Sequence, residues 1–174
     1  MRVSIIIVSL MICSAISGYA QDGRSFKQRV EKSTKTKAGY NNFLLESVHN
    51  SDKIYSDYEN TVQKVWDGDL KEDLRNSSRK PLRELAQVQQ LVKEIAIYKG
   101  GEDYQKTVIN YLNAVERKIS LLETLGILGA NPDSKAEEYN SVSRAFTDLS
   151  NEAIDIRNAV RRAKRDYEKN FYIE

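Results

Sequence analysis

YQKTVINYLNAVERKISLLETL, residues 104–125, is the stretch whose reading decides the fold. Its apolar residues Tyr104, Val108, Tyr111, Leu112, Val115, Ile119, Leu122 and Leu125 recur at steps of three and four, with Lys106, Asn113, Glu116, Arg117 and Glu123 between them. That spacing predicts an amphipathic helix. Gly100 and Gly101 precede it and Gly126 follows it, so breakers are expected to set both ends. At 1.5 Å per residue such a helix is roughly 35 Å long and cannot bury its stripe without partner helices of similar length.

Partners are present on both sides. Upstream, residues 40–66 carry a stripe at Leu44, Val48, Ser51, Tyr55, Tyr58, Val62 and Val65, with Asn41 or Asn42 near the expected helix start. Asp67-Gly68-Asp69 breaks that pattern, and Asp69 with Glu72 has the spacing of a capping box. The next helix holds Leu70 and Leu74, loses its pattern through Asn76 to Lys80, and resumes at Leu82, Leu85, Val88, Leu91, Val92, Ile95 and Tyr98. Pro81 lacks an amide donor and crowds the preceding turn, so a kink or break is expected over residues 77–81. Downstream, Leu128-Gly129-Ala130-Asn131-Pro132-Asp133 reads as a loop, and Ser134 with Glu137 as a second capping box. The longest stripe follows at Tyr139, Val142, Phe146, Leu149, Ala153, Ile156, Val160, Ala163 and Tyr167, with no Gly or Pro to stop it before about Phe171.

The expected fold is therefore all-α: an antiparallel up-down-up-down four-helix bundle over residues 40–174, with a long C-terminal helix and a second helix broken near Pro81. A coiled-coil hairpin that completes its core as a homo-oligomer is the alternative. With 174 residues, two prolines, eight glycines and 30% charged residues, the composition suits long helices better than a turn-rich sheet.

Residues 1–20 differ from the rest. Arg2 is followed by an apolar run from Val3 to Ile12, and small residues lead to Ala20. These are the marks of a signal peptide, with cleavage expected after Ala20 and export of the mature chain. A retained anchor is the alternative, and Cys13 raises lipidation, although Ile12 stands where such a signal wants a small residue. Cleavage would remove the only Cys and both Met, leaving no disulfide or thiolate metal site. Residues 21–39 form a basic arm, mobile or loosely docked as a helical extension, with Arg24, Lys27, Arg29, Lys32, Lys35 and Lys37 against Asp22 and Glu31.

No catalytic constellation stands out. Glu46 and His49 have the Glu-x-x-His spacing of di-iron bundles, but those sites need two such motifs and this chain has one His. A Ser-His-Asp or Cys-His arrangement and a Gly-rich phosphate loop find no support either, so the expectation is a protein without catalysis, metal or cofactor. Tyrosine is abundant, ten in all, and Tyr55, Tyr58 and Tyr111 suggest a slot for a small aromatic or apolar ligand as the alternative function.

Net charge is only +2, so electrostatic function has to come from segregation. In the expected topology the arm shares a pole with Arg157, Arg161, Arg162, Lys164, Arg165 and Lys169, while Asp67, Asp69, Glu72, Asp73, Asp133, Glu137 and Glu138 gather at the other. Helix dipoles account for part of this but not for the arm. The basic pole points to an anionic partner, such as lipid headgroups, envelope polysaccharide or an acidic protein surface. Nucleic acid is not favoured, because aromatic and basic residues do not interleave.

The helix at residues 104–125, the Gly129-Ala130-Asn131-Pro132 loop and the Glu137-Glu138-Tyr139-Asn140 opening of the last helix resemble an uncharacterised family of exported all-helical surface proteins of Gram-negative bacteria. The resemblance implies a helical fold and a place in the periplasm or at the outer surface. It carries no catalytic residues.

Overall fold

A computed structural model describes residues 26–131 and 133–169. The expectations for residues 1–20, for Arg24, for the side chains of Lys27 and Arg29 and for the last residues near Phe171 lie outside the described residues. The fold is all-helical. In order come α1 (Phe26–Ser33), α2 (Lys37–Trp66), α3 (Leu74–Ser77), α4 (Arg79–Glu94), α5 (Glu102–Ala130) and α6 (Ala136–Lys169). No helix among the described residues is long and apolar enough to cross a membrane.

Local chemistry sets the boundaries, several of which differ from those expected. α2 begins ahead of Asn41, because Thr36 caps it by accepting from the Gly39 amide at 3.0 Å. The end of α1 passes directly over this first turn. A Cβ on Gly39 would lie only 1.9 Å from the Ser33 carbonyl oxygen. Val30 is buried, so the second half of the basic arm is a short docked helix. The box expected from Asp69 and Glu72 is replaced by Asp73, which accepts from the Arg75 amide at 2.9 Å and from the Asn76 side chain at 2.7 Å. The helix break falls at buried Ser78, inside the expected window. Pro81 then sits in the first turn of α4, where amides have no intrahelical acceptor and its missing donor is harmless. At α6 the expected Ser134 cap does not form; the Ser134 hydroxyl oxygen is buried without a hydrogen-bond partner.

The largest correction concerns Gly126, which does not end α5. The helix runs 29 residues, through Gly126 and Gly129 to Ala130. Gly126 is a contact position, since a Cβ there would meet Leu74 Cδ1 at 2.6 Å and Val62 Cγ1 at 3.0 Å. Gly126→Ala is expected to destabilise the protein by about 1–2 kcal/mol, because overpacking between buried Leu74 and Val62 exceeds the gain of about 1 kcal/mol in helix propensity. Thermal unfolding followed by circular dichroism checks this, and a raised Tm would refute the close approach.

α5 is the hub against which α2, α4 and α6 all pack. Every residue of its expected stripe, from Tyr104 to Leu125, is buried. α2 runs parallel to it: the Tyr40 hydroxyl donates to the Gly101 carbonyl at one end, and the Trp66 indole donates to the Gly126 carbonyl at the other. α4 and α6 run the opposite way. Gln89 of α4 bonds Glu116 of α5 and Gln105 of α5 bonds Val92 of α4, while Arg117 of α5 pairs with Glu152 of α6 and Tyr104 of α5 stacks near Tyr167 of α6.

α2 and α6 meet through long side chains rather than by close backbone approach. At one end Tyr40 and Tyr167 rings lie 5.7 Å apart and Asn41 donates to Glu168. Midway, Arg157 pairs with Asp52 at 2.6 Å. Further on, Lys118 of α5 stands between them, 3.9 Å from the Tyr55 ring and 5.7 Å from that of Phe146. Beyond Lys118 an open hollow of about 330 Å³ separates the end of α2 from the start of α6.

Candidate functional site

The contacts of Tyr40 bring the start of α2, the start of α5 and the end of α6 to one pole. Its hydroxyl reaches Gly101, its ring meets Tyr98 and Tyr167, and the Tyr167 hydroxyl donates to the Lys37 carbonyl at 3.4 Å. Around this aromatic cluster Lys32, Lys35, Lys99, Arg161, Arg162, Arg165 and Lys169 are exposed. Lys169 pairs with Asp166 and Arg161 bonds Asn158. Lys164 is engaged with Glu168 at 2.6 Å, and the Lys37 ammonium lies 5.7 Å from the Tyr167 ring. Lys32, Lys35, Lys99, Arg162 and Arg165 have no partner among the described residues. Glu31, Glu102 and Asp103 stand nearby, so the surface is mixed with a basic excess. The opposite pole exposes Asp67, Asp69, Glu72, Asp73, Asp133, Glu137 and Glu138.

Arg157 does not join the basic surface. It is half-buried, pairs with Asp52, and donates to the Tyr111 hydroxyl at 3.3 Å, which itself donates to Asp52 at 2.5 Å. Three helices thus converge on one carboxylate, a charge-assisted layer between two apolar ones. Burial lowers the Lys118 pKa, an effect that nearby Glu59 and Asp52 oppose.

The three tyrosines expected to line a slot turn to three different partners. Tyr58 is buried and donates to the Leu74 carbonyl of α3 at 3.3 Å. Tyr55 donates to Glu59 at 2.6 Å, with Lys118 over its ring. Tyr111 belongs to the Asp52 layer. Burial raises the pKa of each of them, most simply by penalising the phenolate.

Glu46 and His49 are exposed on α2, and among the described residues no group of three His, Cys, Asp or Glu side chains is placed to hold a metal ion. Two polar arrangements escaped the sequence reading. One is buried Gln105, which accepts from Tyr40 at 2.8 Å and donates to the Val92 carbonyl at 2.5 Å. The other is the hollow beside Trp66. No protein-family model, curated protein or solved structure matches this chain. Its function therefore has to be read from the arrangement of its own side chains.

Proposed function

We propose that this is a non-enzymatic exported protein of a Gram-negative envelope, built as an antiparallel up-down-up-down four-helix bundle, that docks through its basic pole onto an anionic surface. The signal-like residues 1–20, cut after Ala20, support export to the periplasm or outer surface. The single observation that carries the docking reading is the set of exposed, unpartnered cations Lys32, Lys35, Lys99, Arg162 and Arg165 around the Tyr40–Tyr167 cluster. Exposed bases such as Lys64, Lys71 and Lys135 occur toward the other pole as well, but there they stand among Asp67, Asp69, Glu72, Asp73, Asp133, Glu137 and Glu138, while Arg157 is used inside the fold on Asp52. Cations held free at one end of a near-neutral molecule give it a direction in an anionic field.

Cosedimentation with vesicles tests the reading. The mature chain is expected to bind vesicles containing phosphatidylglycerol, to ignore pure phosphatidylcholine, and to lose binding as salt rises. Exchanging Lys32, Lys35, Arg162 and Arg165 for Gln is expected to weaken binding by about fivefold per charge. Neutralising Lys64, Lys71 and Arg75, which lie toward the other pole, should change little. Binding that survives the fourfold exchange overturns the proposal.

A further inference from the structure

At the pole opposite the basic surface, the hollow between α2 and α6 has the build of a ligand site. Trp66, the last residue of α2 and the only tryptophan of the chain, forms one wall. It is 37% exposed, and with Ile97 and Ile154 it is one of the large apolar side chains that reach solvent among the described residues. Two contacts hold its ring in place. The indole N–H donates to the Gly126 carbonyl at 3.1 Å. The nitrogen-bearing side of the ring rests on Gly129, where a Cβ would come within 2.9 Å of Nε1 and 3.1 Å of Cε2. Gly129 thus lets the indole lie down on α5 and stay there, with about a third of its surface left open to water.

Leu128, Gly129 and Ala136 continue the apolar side, and Asn131, Ser134, Tyr139 and Asn140 supply polar groups; among the described residues no acid or base lines the hollow. The Ser134 hydroxyl is buried without a partner among the described residues. Asn131 uses its side-chain oxygen on the Asp133 amide at 3.0 Å, which turns its NH₂ donors away from that bond. The hollow thus offers an immobilised aromatic platform, a tyrosine, two amides and a hydroxyl in about 330 Å³, a size typical of small-ligand sites.

We propose that this hollow binds a neutral saccharide. The apolar C–H face of a pyranose matches the exposed indole, and its hydroxyls match the amides and Ser134. A charged ligand would find no counter-charge among the lining residues. A purely apolar ligand would leave the buried Ser134 hydroxyl unpaired. Exposed Asp67, Asp133 and Lys135 each adjoin a lining residue in the chain, so the hollow has no basic excess to draw an anion, and this site and the basic pole would engage different parts of their surroundings.

Because Trp66 is the only tryptophan, its fluorescence reports on this site and no other. The mature chain is titrated with neutral disaccharides of glucose and of N-acetylglucosamine, and with benzyl alcohol as an aromatic control that lacks a sugar's array of hydroxyls. Expected is a saturable change in Trp66 emission with at least one sugar, unaffected by salt and absent with benzyl alcohol. Asn140→Ala and Ser134→Ala keep the fluorophore and are each expected to weaken the sugar about fivefold. Gly129→Ala pushes the ring off its seat and is expected to weaken it about tenfold, with the helical circular dichroism signal unchanged. No response to any sugar overturns the proposal. So does a response only to benzyl alcohol, or one that persists undiminished in the Asn140→Ala, Ser134→Ala double variant.

Discussion

Raising the pH above 10 is expected to unfold the protein over about one to two pH units, with phenolate formation and loss of helix in a single transition. Tyr40, Tyr58 and Tyr104 are at most 3% exposed. Burial holds each hydroxyl well above its usual pKa of 10.0, and neighbouring acids or tyrosines, Glu102 and Tyr167 for Tyr40, Glu123 for Tyr58, Glu168 for Tyr104, push in the same direction. The folded state therefore keeps protons that the unfolded chain releases. Stability is full below pH 10 and declines as pH rises, by about 1.4 kcal/mol per pH unit for each such group. Three groups give about 4 kcal/mol per unit, against a typical total of 5–15 kcal/mol. Tyr167, pushed up to about 12 chiefly by burial, adds to the slope. Absorbance of the phenolate and far-ultraviolet circular dichroism, followed together, check this. Tyr104→Phe supplies the control. Its hydroxyl is buried without a hydrogen-bond partner, so the variant should be about 1 kcal/mol more stable at neutral pH and show a slope about a third shallower. Phenolates that form by pH 11 in a fully helical protein would show that these hydroxyls are not enclosed.

Gln105→Ala is expected to lower the unfolding free energy by about 3 kcal/mol. Its side chain is 4% exposed and ties α5 to both α2 and α4. The amide N–H groups donate to the Val92 carbonyl at 2.5 Å and the Ile95 carbonyl at 3.4 Å, at the end of α4 where carbonyls have lost their intrahelical donors. The amide oxygen accepts from Tyr40 at 2.8 Å. Tyr40 retains its second bond to Gly101 when the amide goes, but Val92 does not have a comparable substitute, and the truncation also leaves a cavity. Urea unfolding gives the magnitude, and hydrogen exchange gives the place: amides in the last turn of α4 should lose protection first. A surface-like change below about 0.5 kcal/mol would contradict the staple.

Helical period alone located the core. The stripes of α2 and α5 are buried nearly as spaced, because a three-four repeat leaves only one face for an apolar partner. Glycine misled at Gly126 and Gly129. A glycine that permits a close approach carries the same letter as one that ends a helix, and only Val62, Leu74 and Trp66, which are distant in sequence, tell them apart. Gln105 does not stand out in the sequence because two of its partners are backbone carbonyls, which sequence does not display. Arg157 was grouped with the basic residues around it, since its acid, Asp52, lies on another helix. The hollow was invisible for a related reason: α2 and α6 diverge beyond Lys118, and divergence depends on which side chains stand between helices rather than on any one stripe.

The central place of α5 also orders events in time. The buried residues Leu44, Val48 and Val62 of α2 find their main neighbours on a helix that begins at Glu102, and α1 to α4 together make only part of that enclosure. A chain still emerging from a ribosome therefore holds these residues uncovered until α5 has been synthesised, after which α2, α4 and α6 can consolidate on it. Folding of this protein is therefore expected to come late, with the chain before α5 available to chaperones until that third long helix is complete.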